Sequence, residues 1–184
     1  MSGPTFVGGV LCGGRSRRMG RPKESLTIDG RTFLDRAIER HRPDDVLLSG
    51  SLTADGTTTV NDERPDAGPL GGLQSLLNAA DADWLLISPV DTPLLTAADV
   101  ARLRAVAERG LDDVVAFRSD GRVHLTIAAY RVVVCRPVVS RMLDADVRRM
   151  DAVCDRLRCR FLDCDAAHLR NINTPEDFAA IGGP

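Results

Sequence analysis

Lysine is nearly absent from this chain. Of 184 residues only Lys23 is a lysine; every other positive side chain is arginine. Aromatic residues are also scarce, at 4%, so few side chains are available to stack on nucleobases. The net charge of −2 argues against a surface built as a whole to coat nucleic acid. No apolar run approaches the roughly 20 residues that a membrane helix needs. The opening residues lack a signal-peptide pattern. The five cysteines form no C-x-x-C pair, and Cys154, Cys159 and Cys164 follow one another at steps of five, unlike the close pairs of zinc sites. The expectation is a cytoplasmic chain with reduced thiols. No membrane or nucleic-acid partner is expected, and the expected state is a monomer or weak oligomer.

What is present is an ordinary globular balance, 43% hydrophobic and 27% charged. No repeat, linker or low-complexity stretch divides the sequence, so residues 1–184 read as one domain. Apolar runs at "TFVGGVL", "DVLLSG", "TTTV" and "DWLLISPVD" predict strands. Between them, "RTFLDRAIERHR", "GPLGGLQSLLNAA" and "TAADVARLRAVAERG" space apolar residues at helical intervals. "DDVVAFRSDGRVHLTIAAY" predicts two strands turning at Asp120-Gly121. "RPVVSRML" and "VRRMDAVCDRL" read as helices, "CRFLDC" as a last strand, and "TPEDFAAIG" as a helix capped by Thr174. Alternation of this kind predicts an α/β fold, a mostly parallel sheet with helices on both faces.

In such a sheet ligands bind beyond the carboxyl ends of the strands. The first strand runs there into "CGGRSRRMGRPK", a basic loop from Cys12 to Lys23. Gly13 and Gly14 permit close backbone approach, and exposed N–H groups in such a loop can cradle phosphate oxygens. A single lysine in an arginine-rich chain suggests a site where a compact ammonium is not equivalent to a planar fork. Five residues separate Gly14 from Gly20 and Arg-Pro precedes Lys23, so the loop is not a P-loop. The G-x-G-x-x-G dinucleotide fingerprint is absent too. Two carboxylates stand after strand runs: Asp62, after "TTTV", and Asp91, closing "LLISPVD". An ionised Asp is a hard oxygen ligand suited to Mg²⁺. With the basic loop, the pair suggests a metal–triphosphate site, although a turn or capping role would explain either one alone. Asp99 is a capping residue of that kind. The glycines of "AGPLGGL" could admit a base or ribose, or simply permit close helix–sheet packing. Asn171 and Asn173 lie on one side of an extended segment and could read a heterocycle edge or cap the last helix.

Taken together, "LCGGRSRRMGRPK" resembles the nucleotide-binding signature L-x-G-G-x-S-x-R-M-G-x-x-K of nucleotidyltransferases. "DAGPLGGL", "VDTPLL" and "NINTPEDF" follow in the order seen in the molybdenum cofactor guanylyltransferases. The resemblance covers nearly the whole chain. It implies a Rossmann-like three-layer α/β/α sandwich and transfer of GMP from Mg-GTP to the molybdopterin cofactor, with release of pyrophosphate. It further implies that Leu11, Cys12, Gly13, Gly14, Lys23, Ser49, Asp62 and Asp91 bind nucleotide. Lys23, Arg18 and Asp91 would serve catalysis, with Asp91 on Mg²⁺, and Asn171, Asn173 and His124 would face the pterin. Cys12 stands where alanine is usual, Ser49 where asparagine is frequent, and Leu125 where proline often follows the histidine. A cofactor-delivery protein or a molybdoenzyme is a further partner compatible with the resemblance.

The implied reaction needs no nucleophilic side chain, because a phosphate monoester with a second pKa of about 6 is already largely dianionic at neutral pH. No Ser-His-Asp arrangement is found; His41 is placed on a helix and His168 near the C-terminus. Three other readings are compatible with the residues. One is a relative using CTP or another acceptor, one a homologue that binds nucleotide without transferring it, and one a nonenzymatic polyanion-binding module using the arginine loop.

Overall fold

A computed structural model describes residues 3–12, 22–64 and 66–183. The first strand, β1 (Phe6–Leu11), lies in the interior of a seven-stranded sheet of order β5-β4-β1-β6-β8-β7-β9. The other members are β4 (Val46–Ser49), β5 (Thr58–Val60), β6 (Trp84–Pro89), β7 (Val114–Ser119), β8 (Arg122–Arg131) and β9 (Cys159–Asp163). All their pairings are parallel except those of β8, which runs antiparallel to both β6 and β7. A separate two-stranded hairpin joins β2 (Thr27–Ile28) to β3 (Arg31–Thr32).

Period-two alternation along β6 explains the three layers. Leu85 and Ile87 project into one core with Leu73, Leu76 and Leu77 of α2 (Gly68–Ala79) and Cys135, Val139 and Met142 of α4 (Val132–Asp144). Trp84 and Leu86 project to the opposite face, into a cluster with Val100 and Leu103 of α3 (Ala97–Ala107). On that same side Val10 and Leu48 pack with Phe33 and Ile38 of α1 (Phe33–Glu39) and Phe178 of α5 (Pro175–Ala179). The architecture is the mostly parallel sheet with helices on both faces that the alternation of elements predicts, and the Rossmann-like α/β/α sandwich that the resemblance implies.

Thr32, Thr96 and Thr174 each close a capping box with an aspartate at the third helical position, Asp35, Asp99 and Asp177. These satisfy amide groups that would otherwise be orphaned at the helix starts. Two local expectations are corrected. "VRRMDAVCDRL" forms only a short 3-10 turn, Met150–Val153. The preceding helix, α4, begins already at Val132, directly after β8, and contains Pro137. Pro137 lacks the N–H that would bond the carbonyl of Val133, a residue 77% exposed, so water can satisfy that carbonyl.

Candidate active site

The sheet topology decides where chemistry can occur. β1 pairs with β4 on one side and β6 on the other, so the ends of β1 and β6 lie together at a topological switch point. Leu11 is in register with Pro89, and the amide of Val90 donates to the Leu11 carbonyl at 3.1 Å. The chain leaving β1 at Cys12 and the chain leaving β6 at Asp91 therefore emerge side by side. Lys23, the last residue of the basic loop, stands at this point. Its ammonium donates to Asp91 Oδ2 at 3.0 Å and to Asn173 Oδ1 at 2.5 Å. Three segments far apart in sequence thus meet at one cation.

A cleft of about 700 Å³ opens above this junction. Leu11, Cys12, Lys23, Ser49, Asp62, Asp91, Asn171 and Asn173, all singled out from the sequence, line it. Gly13, Gly14 and Arg18 lie outside the described residues. A second cavity, of about 1170 Å³, includes His124, Arg122 and Arg170 in its wall. The two cavities share Thr126, Asn171 and Asn173, so Asn173 faces both while its carbonyl oxygen holds Lys23.

Individual environments divide these residues by role. Asp91 Oδ2 is occupied by Lys23, whereas among the described residues Asp91 Oδ1 is buried with no hydrogen-bond partner. A buried, unpartnered carboxylate oxygen is costly unless something else satisfies it, and its chemistry suits a hard divalent cation. The Asp91 carbonyl accepts from the Ile172 amide at 2.8 Å, tying the turn to the Asn171–Asn173 segment. Asp62 is exposed, yet partial desolvation raises its carboxyl pKa. Ser49 is 1% exposed, and its hydroxyl accepts from the Cys12 amide at 3.1 Å. It therefore holds the exit of β1 in place. Burial pushes the Cys12 thiol up to about 12, helped by Glu24 and Asp62, so at neutral pH the residue is an inert small filler.

The glycines of α2 answer the packing question. A Cβ on Gly72 would lie 3.0 Å from Leu11 Cδ2 and 3.4 Å from Ser49 Oγ, so this glycine permits close helix–sheet packing. Gly68, at φ +67°, has no atom within 4 Å of where its Cβ would stand and lines the cleft. It is the position at which bare backbone faces open space.

The boundary between the two cavities is shaped by an irregularity in β8 that the sequence does not announce. Ala116 pairs with Ala128, but Phe117 pairs with His124, so Leu125–Ile127 bulge out of the ladder. Tyr130 pins the bulge by donating its hydroxyl to the Leu125 carbonyl at 2.7 Å. The bulge carries Thr126 to the boundary of both cavities. His124 Nε2 lies 2.9 Å from Ser119 Oγ, and burial, with help from Arg122, lowers its pKa. Thr126, Glu24 and Asp66 also line the smaller cleft and were missed from the sequence, where nothing but their nearness to recognised motifs marks them.

Asp99, Cys164 and His168 form the one group of metal-ligating side chains found close together among the described residues. Asp99 Oδ2 accepts from the Thr96 amide and hydroxyl and is 2.9 Å from His168 Nδ1, while Arg102 stands 3.6 Å from Oδ1. Burial works to raise the Asp99 pKa, but these bonds outweigh it and leave it lowered. The capping role read from the sequence accounts for this carboxylate.

The sequence model of the MobA-like NTP transferase domain matches residues 8–159. The chain belongs to the MobA-like NTP transferase family. It is 34% identical to a molybdenum cofactor guanylyltransferase of Xanthomonas euvesicatoria over 96% of this chain and 94% of that one. It is 33% identical to one of Rhizobium meliloti over 92% and 87%. Among solved structures it resembles the molybdopterin-guanine dinucleotide biosynthesis protein A of Archaeoglobus fulgidus, with a TM-score of 0.81 at 17% identity, covering 95% of this chain and 96% of that one. A 2-C-methyl-D-erythritol 4-phosphate cytidylyltransferase of Thermus thermophilus superposes with a TM-score of 0.73 at 18% identity, covering 94% and 95%. At these identities the structural likenesses show the fold.

Proposed function

We propose that the chain is a molybdenum cofactor guanylyltransferase, a nucleotidyltransferase acting as one domain that transfers GMP from GTP to molybdopterin with release of pyrophosphate. The observation that carries this reading is the junction of Lys23, Asp91 and Asn173 at the boundary between two adjoining cavities. A transferase of this class must bring a nucleotide and an anionic acceptor together at one phosphorus atom. The relatives at 33–34% identity are named molybdenum cofactor guanylyltransferases, which supports GTP and molybdopterin as the two substrates.

The smaller cleft takes the nucleotide. Its walls combine the β1 exit, the open backbone of Gly68 and the cation of Lys23. The larger cavity takes the pterin, with His124, Asn171 and Asn173 in its wall and Arg122 and Arg170 supplying positive charge against the acceptor phosphate. An oxygen of that phosphate attacks the α-phosphorus of GTP. The bond from the α-phosphorus to the bridging oxygen breaks, and pyrophosphate departs with that electron pair. No side chain need remove a proton, because the nucleophile is already ionised. The task of the chain is to hold two anions in line and to stabilise the charge that develops on the leaving group. Lys23 faces that charge, and Arg18 and the amides of Gly13 and Gly14 belong to the same loop. Asp91, through its unpartnered Oδ1, would hold Mg²⁺, which when bound screens the polyphosphate charge.

No helix among the described residues is long and apolar enough to cross a membrane. We place the enzyme in the cytoplasm, where GTP is available. Turnover of GTP with molybdopterin, with and without Mg²⁺, tests the reading. Pyrophosphate release must require both molybdopterin and the cation, and GTP must outcompete CTP in the presence of Mg²⁺. Preferential use of CTP, or binding to polyanions without preference for a nucleoside triphosphate, would refute it.

A further inference from the structure

Arg40 ends α1 on the face of the sheet away from α2, and it is only 3% exposed. A guanidinium taken out of water is expensive unless an opposite charge is paired with it. Among the described residues no carboxylate lies within ion-pair distance of Arg40. Its Nε donates to the carbonyl of Arg36 at 3.2 Å, its Nη1 donates to Thr92 Oγ1 at 3.2 Å, and its Nη2 is buried without a partner among the described residues. Burial lowers its pKa to about 10, so it stays charged at neutral pH. The carboxylates whose fields reach it are Asp91 and Asp99.

The contact it makes is specific. Thr92 is completely buried and directly follows Asp91; its hydroxyl donates onward to the Pro89 carbonyl at 3.0 Å. Arg40, Thr92 and Pro89 therefore form a chain of hydrogen bonds closing the turn that carries Asp91 off β6. On the other side of the turn the Ile172 amide holds the Asp91 carbonyl. The turn is clamped from the interior by a cation and from the C-terminal segment by an amide.

We propose that Arg40 is a positioning residue for the reaction: it fixes the Asp91 turn through Thr92 and places a buried positive charge behind the Asp91 carboxylate. This rests on the reading of Asp91 given above for its catalytic consequence, and on geometry alone for its structural one. A buried side chain that makes so few bonds for its charge contributes little to stability for the desolvation it demands. Its use lies in rigidity and field at the neighbouring carboxylate.

Two substitutions test it, Arg40→Met and Thr92→Val. The second removes only the hydroxyl, at nearly constant volume, and keeps Arg40. Hydrogen exchange at the Ile172 amide reports the turn without reference to activity. Protection there is expected to fall at least tenfold in both variants, while Leu85 and Leu86 within β6 stay within about threefold of the parent. GTP turnover is expected to lose 10- to 100-fold in kcat with KM for GTP within about threefold, because ground-state contacts to the nucleotide are untouched. Ile38→Val, on the same helix, is the control for loss of stability alone and should leave both readouts unchanged. Unchanged protection at Ile172 in Thr92→Val would overturn the proposal even if Arg40→Met does not fold. Lost protection with unchanged kcat would overturn its functional half. Should the parent protein transfer no nucleotide, the reading of function falls, while the exchange result still decides whether Arg40 holds the turn.

Discussion

The ammonium of Lys23 sits 3.0 Å from one oxygen of Asp91, and both side chains are largely buried, at 15% and 17% exposure. The contact joins the basic loop after β1 to the acid after β6. Because the pair is shielded from solvent, its charges would act at reduced dielectric on a polyphosphate bound as proposed.

The two residues should therefore fail alike in catalysis. Lys23→Ala or Asp91→Ala is expected to lower kcat/KM for GTP by about 10²–10³-fold, the scale on which a single stabilising donor acts elsewhere. Circular dichroism and thermal melts should show an intact fold in both. Turnover within a few fold of the parent in either variant would remove that residue from the catalytic assignment.

Ser49 and Cys12 stand in the same cleft, yet opposite outcomes are expected. Cys12 is held through its backbone amide, which donates to the Ser49 hydroxyl, while its thiol reaches no farther than the Val10 carbonyl at 3.5 Å. Cys12→Ala should leave GTP turnover within about threefold of the parent. Ser49→Ala leaves the Cys12 amide without its acceptor, at a cost of about 1–3 kcal/mol. It should weaken nucleotide binding as the exit of β1 loosens. Nucleotide affinity by calorimetry and urea denaturation separate the two variants.

The elements that shape the site were legible in the sequence to the extent that local chemistry specifies them. "DWLLISPVD" is buried on both faces and ends in an acid, and the structure makes it β6 followed by Asp91. Thr96 and Thr174 lie at the right spacing from Asp99 and Asp177, and both cap. "VRRMDAVCDRL" misled because its helical spacing of apolar residues is outweighed by tertiary context; only Met150–Val153 turn. The bulge at Leu125–Ile127 was hidden because "RVHLTIAAY" reads equally well as an uninterrupted strand, and the bond that pins it, from the Tyr130 hydroxyl to the Leu125 carbonyl, is a contact within the folded sheet. The burial of Arg40 and His41 was hidden for a related reason. Charged and polar residues at a helix end read as solvated, and only the packing of α1 on the sheet shows them to be 3% and 1% exposed.

Gly8 shows how tightly that packing is drawn. A Cβ at this position would lie 2.6 Å from His41 Cβ and 2.8 Å from His41 Cγ, within a strand paired on both sides. The backbone of β1 cannot retreat without disturbing β4 or β6. Gly8→Ala is expected to destabilise the protein by about 3 kcal/mol, at the upper end of the usual cost of overpacking. His41→Ala in the same chain should recover part of the loss, as measured by urea denaturation in a double-mutant cycle.

His41 also imposes a pH dependence. Nε2 is 2.8 Å from Ser88 Oγ, Nδ1 has no partner among the described residues, and burial lowers the pKa from its ordinary 6.5 to about 3, with Arg40 and Arg104 opposing protonation further. The folded protein thus keeps the imidazole neutral where the unfolded chain would protonate it. A lowered pKa on a base means that its stabilising effect is intact above about pH 6.5 and is lost progressively as the pH falls toward 3. The slope approaches about 1.4 kcal/mol per pH unit for one proton, or about 2 kcal/mol between pH 6.5 and 5. His124, also lowered, adds to the same trend. Unfolding free energy measured in urea at pH 7, 6 and 5 should fall accordingly. His41→Gln, which retains a polar partner for Ser88 but cannot titrate, should flatten the decline, and an equally steep loss in that variant would place the dependence elsewhere.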